Sequence, residues 1–184
     1  MKKIILILSL FAVSSLFAQQ LAPSPDPSNA FTQFTPDGGK ILVATIPTAK
    51  RETDILVIKK DSKGKEEWRQ TYGGTSYDRA STIQATTDGG YIVVGSTSSF
   101  GKGNYDAFLI KIDAKGKESW KNTYGEFFND YGYEVGQTQD GGFIIECKKQ
   151  ICKAKNDWSN CYDIGWIVKT NAQGKELWNK DLAK

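Results

Sequence analysis

Hydrophobic positions in this chain fall into short β-branched and aromatic runs separated by clusters of Gly, Asp, Asn, Ser and Lys. Runs of that kind bounded by turn residues predict β-strands. No stretch carries the 3.6-residue spacing of a helix over a useful length. The runs also recur in a fixed order. KILVAT, YIVVGST and FIIECK each follow an Asp-Gly-Gly triplet, at Asp37, Asp88 and Asp140, which are 51 and 52 residues apart. DILVIKKD, DAFLIKID and IGWIVKTN come next, followed by the turns SKGK, AKGK and AQGK. Trp68, Trp120 and Trp178 then stand four residues after the turn glycines Gly64, Gly116 and Gly174.

A period of about fifty residues predicts an array in which each unit buries its faces against its neighbours. In the second copy the strand candidates are residues 80–87, 91–97, 107–113 and 118–124. Asp88-Gly89-Gly90 predicts a tight hairpin in which the glycines take positive φ. The turn from Asp113 to Gly116 predicts a type I turn closed by a left-handed glycine. The second and third strands are nearly continuous apolar runs, so burial on both faces is expected. The fold class expected is all-β, an array of three four-stranded antiparallel units; the resemblance that follows makes them the blades of a β-propeller-like array.

The unit A-x-x-x-x-T-x-DGG-Y-I-V-V-G, continued by D-x-F-L-I-K-I-D-x-x-G-K-x-x-W-x-x-T-Y-G, resembles the β-propeller repeats of secreted bacterial proteins, with a kelch- or WD-like blade order. The resemblance spans about Asn29 to Leu182. It implies blades at 29–77, 78–129 and 130–184, and leaves function open, because propellers host binding, scaffolding and catalysis alike. The third copy ends Asp181-Leu182-Ala183-Lys184 where the others read Thr-Tyr-Gly, and Pro23, Pro25 and Pro27 precede the first. Both ends read as caps, or as an array cut short. Propellers usually close with four to eight blades. Three blades therefore suggest a homodimer that closes a six-blade ring.

Lys2 and Lys3, the apolar run from Ile4 to Val13 and the small residues ending at Ala18 predict a signal peptide at 1–18, with a proline-rich leader at 19–28. The expected location is secreted or periplasmic, with no membrane span. The whole chain carries 24 basic and 21 acidic residues. Without the two signal lysines the balance is 22 to 21, a net charge of +1, so no nucleic-acid partner is expected. Lysines near the turns, such as Lys63, Lys115 and Lys175, alternate with Glu66, Glu118 and Glu176, as on a solvated outer edge.

If the strands run in order, the Asp-Gly-Gly and Lys-Gly hairpins share one end of the array. The loops that vary among copies share the other. Those loops carry Phe100, Tyr105, Phe127, Phe128, Trp158 and Tyr162, with Asn104, Asn129, Asp130, Asn156 and Asp157 beside them. Rings next to hydrogen-bonding groups either pack their own loops or form a surface for a glycan or protein ligand. The ligand-binding candidates are Phe100, Tyr105, Phe127, Phe128, Asp130, Trp158 and Tyr162. The three recurrent tryptophans read as packing between blades, and Asp37, Asp88 and Asp140 as turn residues.

Asp54 and Asp106 begin the third strands, and Lys59, Lys111 and Lys169 end them. Together they read as an exposed ladder of minor weight. In the third copy the Asp register falls on Ile164, beside Asp163 and Gly165, which predicts a bulge. Cys152 and Cys161 fall in a loop insertion and are expected to form a disulfide, leaving Cys147 a buried thiol.

Histidine is absent. That removes the usual general base and the commonest metal ligand. There is no Gly-x-Ser-x-Gly elbow, no phosphate loop and no dense acidic calcium loop. No catalytic residue, metal or cofactor is expected. The leading functional expectation is a secreted, non-enzymatic binding or surface-interaction protein. The alternatives are a glycan-active or redox enzyme on the same scaffold, or a truncated propeller without independent activity.

Overall fold

A computed structural model describes residues 30–182 apart from 51, 155 and 156, and gives the backbone alone at 154 and 157–159. The expected signal peptide and proline-rich leader lie outside the described residues. Twelve strands form three four-stranded antiparallel sheets, each in simple up-and-down order. The first sheet contains β1 (Phe31–Phe34), β2 (Lys40–Pro47), β3 (Thr53–Lys60) and β4 (Glu66–Tyr72). The second contains β5 (Asp78–Ala85), β6 (Tyr91–Thr97), β7 (Asp106–Ile112) and β8 (Glu118–Tyr124). The third contains β9 (Asp130–Gln137), β10 (Phe143–Ala154), β11 (Asp157–Thr170) and β12 (Glu176–Asp181). The chain is an all-β, propeller-like array of three blades, and its sheets do not close into a ring. Among the described residues no helix is long and apolar enough to cross a membrane.

The middle-blade strands expected at 91–97 and 118–124 form with those bounds. The first strand begins two residues earlier than expected, at Asp78, and the third one residue earlier, at Asp106. In both cases the new first residue is a buried aspartate.

The core lies between blades rather than inside any one of them. Ile41, Val43, Ile55 and Val57 of the first blade pack on Ile83, Val93, Phe108 and Ile110 of the second. Ile92, Val94 and Leu109 from the opposite face of the second blade pack on Phe143, Ile145 and Val168 of the third. Every residue of β6 and β7 is consequently buried, as their continuous apolar pattern predicts. Fully burying one such side chain stabilises by about 1.5–3 kcal/mol.

The first two blades each add a polar fastening to the next. Trp68 Nε1 donates to the Ala114 carbonyl at 3.0 Å, and its ring lies 6.2 Å from Tyr91. Trp120 meets Phe143 edge-on at 5.8 Å. The Tyr72 and Tyr124 hydroxyls donate to the carbonyls of Gly116 and Gly174 in the next blade. Among the described residues Trp178 has no such neighbour, and it is 49% exposed.

The hairpin chemistry differs from expectation in one respect. Only the first glycine of each Asp-Gly-Gly triplet has positive φ: Gly38, Gly89 and Gly141, near 80°. The second is needed for space. A methyl on Gly90 would strike the Ile112 carbonyl and stand 2.6 Å from Lys111 Nζ.

Those lysine ammoniums also correct the expected ladder. Lys59, Lys111 and Lys169 are buried, each precedes a bulge, and each pairs with a turn aspartate of its own blade rather than with Asp54 or Asp106. Lys59 Nζ donates to Asp37 at 2.7 Å, Lys111 Nζ to Asp88 at 3.1 Å and Lys169 Nζ to Asp140 at 2.9 Å. Three more bonds go from these ammoniums to the carbonyls of Lys60, Ile112 and Thr170, so the buried charges are both neutralised and bonded. The Lys59 ammonium and the Thr35 hydroxyl hold the Asp37 carboxyl far below its usual range. For Asp88, burial works upward, but the Thr86 and Lys111 bonds outweigh it and bring the carboxyl down to about 2.

The third blade holds a second correction. Cys152 and Cys161 are not in a loop: β10 and β11 continue as a long ribbon in which the two stand directly opposite each other, joined as a disulfide. Pairing runs evenly from Phe143↔Thr170 to Cys152↔Cys161, so the bulge expected near Asp163 is absent from this edge and a shift falls between Cys152 and Ala154 instead. Cys147 is a buried free thiol.

Candidate functional site

The loops joining second to third strands, and those joining one blade to the next, meet at one end of the array. Short parallel bridges bind them, Thr53↔Tyr77 at the first junction and Tyr105↔Asn129 at the second. Beneath each bridge a buried aspartate anchors the loops. Asp78 Oδ2 accepts from Gly74 N at 2.8 Å and Ser99 Oγ at 2.7 Å. Asp130, at the equivalent place, accepts from Glu126 N at 2.8 Å. Asp106 accepts from the amides of Lys102 at 3.1 Å and Gly103 at 2.9 Å.

Two aspartates close on one glycine at each junction, Asp54 and Asp78 on Gly73, and Asp106 and Asp130 on Gly125. Burial, with Asp106 nearby, pushes the Asp130 carboxyl up to about 6. Burial and the Asp78 charge likewise raise Asp54. The structure therefore gives Asp130 a buttressing position under the loops, 2% exposed, rather than a place on their outer surface.

Above that floor the face carries an ordered strip of rings and cations. Tyr105 stacks on Tyr131 with centroids 5.6 Å apart and planes 28° off parallel. The Arg79 guanidinium lies over the Tyr105 ring at 5.4 Å, and Lys148 Nζ over the Tyr131 ring at 5.4 Å. Asp163 holds Lys148 from the far side at 2.9 Å. Arg79 and Tyr131 each follow the buried aspartate that begins β5 or β9, so the two adjacent blades present them to one place. Both rings keep part of their surface open, and both cations are oriented by ring contacts. This is a surface suited to a flat or polyhydroxylated anionic group.

The other candidates scatter. Phe100 does not join the strip; it packs on Phe108 at 5.6 Å, under Lys121 at 4.8 Å, beside a hollow of about 330 Å³. Phe127 and Tyr162 each expose about half of their surface, at 50% and 47%. Phe128 is partly buried, and Gly103 packs against its carbonyl. Trp158 lies in β11, but its side chain is outside the described residues, as are Asn156 and the Asp157 side chain.

Arg79, Tyr131 and Lys148 escape sequence reasoning because they stand inside strands rather than loops. A trace existed: Arg79 and Tyr131 share the register immediately after the first-strand aspartate.

A second, smaller hollow of about 120 Å³ lies behind Asp130, lined by Glu126, Lys149, Trp166, Glu176 and Asn179. Trp166 Nε1 is buried and has no hydrogen-bond partner among the described residues, and Lys149 sits 5.4 Å over the Trp166 ring while pairing with Asp181 at 2.5 Å. A carboxyl held near 6 has the character of a proton donor. Among the described residues no group of three His, Cys, Asp or Glu is placed to hold a metal ion.

Compared with models of known protein families the chain matches none, and no curated protein matches it.

Proposed function

We propose that this chain is an exported, non-enzymatic binding or surface-interaction protein, a β-propeller array of kelch- or WD-like blade order that holds a glycan or protein ligand on its loop face. The observation that carries the reading is the Tyr105–Tyr131 stack flanked by Arg79 and Lys148. Ring faces bind the apolar faces of sugars or peptide side chains, and the flanking cations favour a ligand bearing carboxylate or sulfate. The buried aspartates below pin the loops, so the strip is preorganised and less entropy is lost on binding. Export is supported by the basic, apolar and small-residue order of the first eighteen residues and by the Cys152–Cys161 disulfide, which persists in an oxidising compartment.

A glycan array and a partner pull-down test this reading, each run with wild type and with Tyr105→Ala and Tyr131→Ala. Either substitution is expected to weaken capture of the selected ligand at least about tenfold. Ligands held equally well by both variants would remove the strip from the site.

A glycan-active enzyme is the second reading, supported by the raised Asp130 carboxyl beside Glu126 and Glu176. Turnover of an array-selected glycan that disappears in Asp130→Asn, while Tyr105→Ala retains it, would favour that reading over simple binding.

A further inference from the structure

We infer that a second copy of this chain docks head to tail, with Trp178 of each chain seated on the Gly64 turn of the other. The two junctions inside the chain show what such a contact contains. At the first, the Trp68 indole covers Gly116 so closely that a methyl on that glycine would stand 2.8 Å from Cζ3 of the ring. At the second, the Trp120 indole covers Gly174, with Cη2 2.7 Å from where a methyl would be, and Asn122 Nδ2 donates to the Gln173 carbonyl at 3.2 Å. Each junction is thus a tryptophan from the fourth strand of one blade laid over the turn glycine of the next.

Both halves of a third such junction are present and, among the described residues, unmatched. Trp178 occupies the register of Trp68 and Trp120, yet is 49% exposed, and Leu182, four residues on at the register of Tyr72 and Tyr124, is 45% exposed. Gly64 occupies the register of Gly116 and Gly174, shares their positive φ, and has no described atom within 4 Å of its methyl position. A hollow of about 470 Å³ surrounds it, lined by Thr32, Lys40, Leu42, Lys60 and Ser62.

The chemistry of the two surfaces is complementary. Lys40 stands where Tyr91 and Phe143 meet the indoles of the preceding blades, so Trp178 would receive a cation over its ring in place of an aromatic edge. The Ser62 carbonyl corresponds to that of Ala114 and is placed to accept from Trp178 Nε1. Leu182 lacks the tyrosine hydroxyl, so this junction has one hydrogen bond fewer than the internal ones and is the weakest of the three. Two chains joined reciprocally in this way contribute six blades, within the four to eight at which propellers close, whereas three chains would give nine. The inference does not depend on the loop face binding anything.

Sedimentation velocity of the processed chain, purified from an exporting host, tests it. Wild type is expected to sediment at twice the chain mass at micromolar concentration. Trp178→Ser removes the knob and Leu42→Glu spoils the socket; each is expected to raise the dimer dissociation constant at least about tenfold, while far-ultraviolet circular dichroism of the variants, and their unfolding midpoint at concentrations where wild type is also monomeric, stay as in wild type. Mixing the two variants should restore a dimer through the one intact junction, the Trp178 of the Leu42→Glu chain entering the socket of the Trp178→Ser chain. A wild-type chain that stays monomeric, a dimer indifferent to both substitutions, open polymers that lengthen with concentration, or a mixture no better associated than its parts would each overturn the inference.

Discussion

Lys111, 6% exposed at the end of β7, reaches the carboxylate of Asp88 at 3.0 Å across the hairpin that joins β5 to β6. The partners are unequal, because the aspartate side chain is 61% exposed and the ammonium is buried. Removing the acid leaves an unpaired buried charge, whereas removing the base leaves a carboxylate that water can solvate. Asp88→Asn is therefore expected to lower stability by about 1–2 kcal/mol, discounted for solvent screening. Lys111→Met should cost less. Urea midpoints of the two variants check the order.

The same pair sets an acid response. Its carboxyl sits near 2 when folded, against an ordinary value of 3.8. A lowered folded value contributes stability that is present above 3.8 and is lost as pH falls toward 2. Wild type should lose more stability than Asp88→Asn between pH 4 and pH 2, read by thermal melts.

Asp130 titrates with the opposite sign. Its folded value near 6 lies above the ordinary 3.8, so its contribution is present below 3.8 and lost as pH rises through 6. Asp130→Asn should flatten the stability profile between pH 4 and pH 7 and raise stability at pH 7 by on the order of 2 kcal/mol, read from denaturant unfolding. An unchanged profile would mean that the carboxyl is not held as the Gly125 junction suggests.

Two glycines separate space from conformation. Gly90 has no positive φ, yet a methyl there collides with backbone, so Gly90→Ala is expected to cost about 2 kcal/mol or more. Gly136, in β9, has open space around its methyl position and no positive φ; Gly136→Ala should be neutral or stabilising by about 0.5 kcal/mol. Chemical denaturation of both variants distinguishes the two cases.

Cys147 should be silent to thiol reagents in the native protein, because burial pushes its thiol well above the usual range. One thiol per chain should become reactive on unfolding without reductant, and three after reduction. Reduction of Cys152–Cys161 is expected to expose the tip of the β10–β11 ribbon to protease while leaving most of the cooperative unfolding of the blades intact, since both inter-blade core clusters lie away from it.

Most of the strand positions were legible because they rest on local rules. The middle blade's second and fourth strands begin and end where β-branched runs meet turn residues, and the turn glycines sit where a left-handed residue closes a hairpin. Beyond the cysteine ribbon and the second turn glycine, the misreadings fell on charged residues. Lysines that end the third strands look solvent-facing by residue type, but a bulge beside each one turns it onto the neighbouring hairpin. Asp78 and Asp130 look like loop residues and are buried strand starts.

The sequence by itself determined the three blades, their strand order and the shared ends of their hairpins, because side-chain alternation and turn conformation act within a few residues. Only the tertiary structure decided which side chains meet across blades: Trp68 over Gly116, Tyr105 on Tyr131, Asp106 beside Asp130. Those contacts depend on how one twisted sheet lies on the next, which is set by the packing of both faces at once. That same packing leaves Trp178 without a glycine to cover among the described residues.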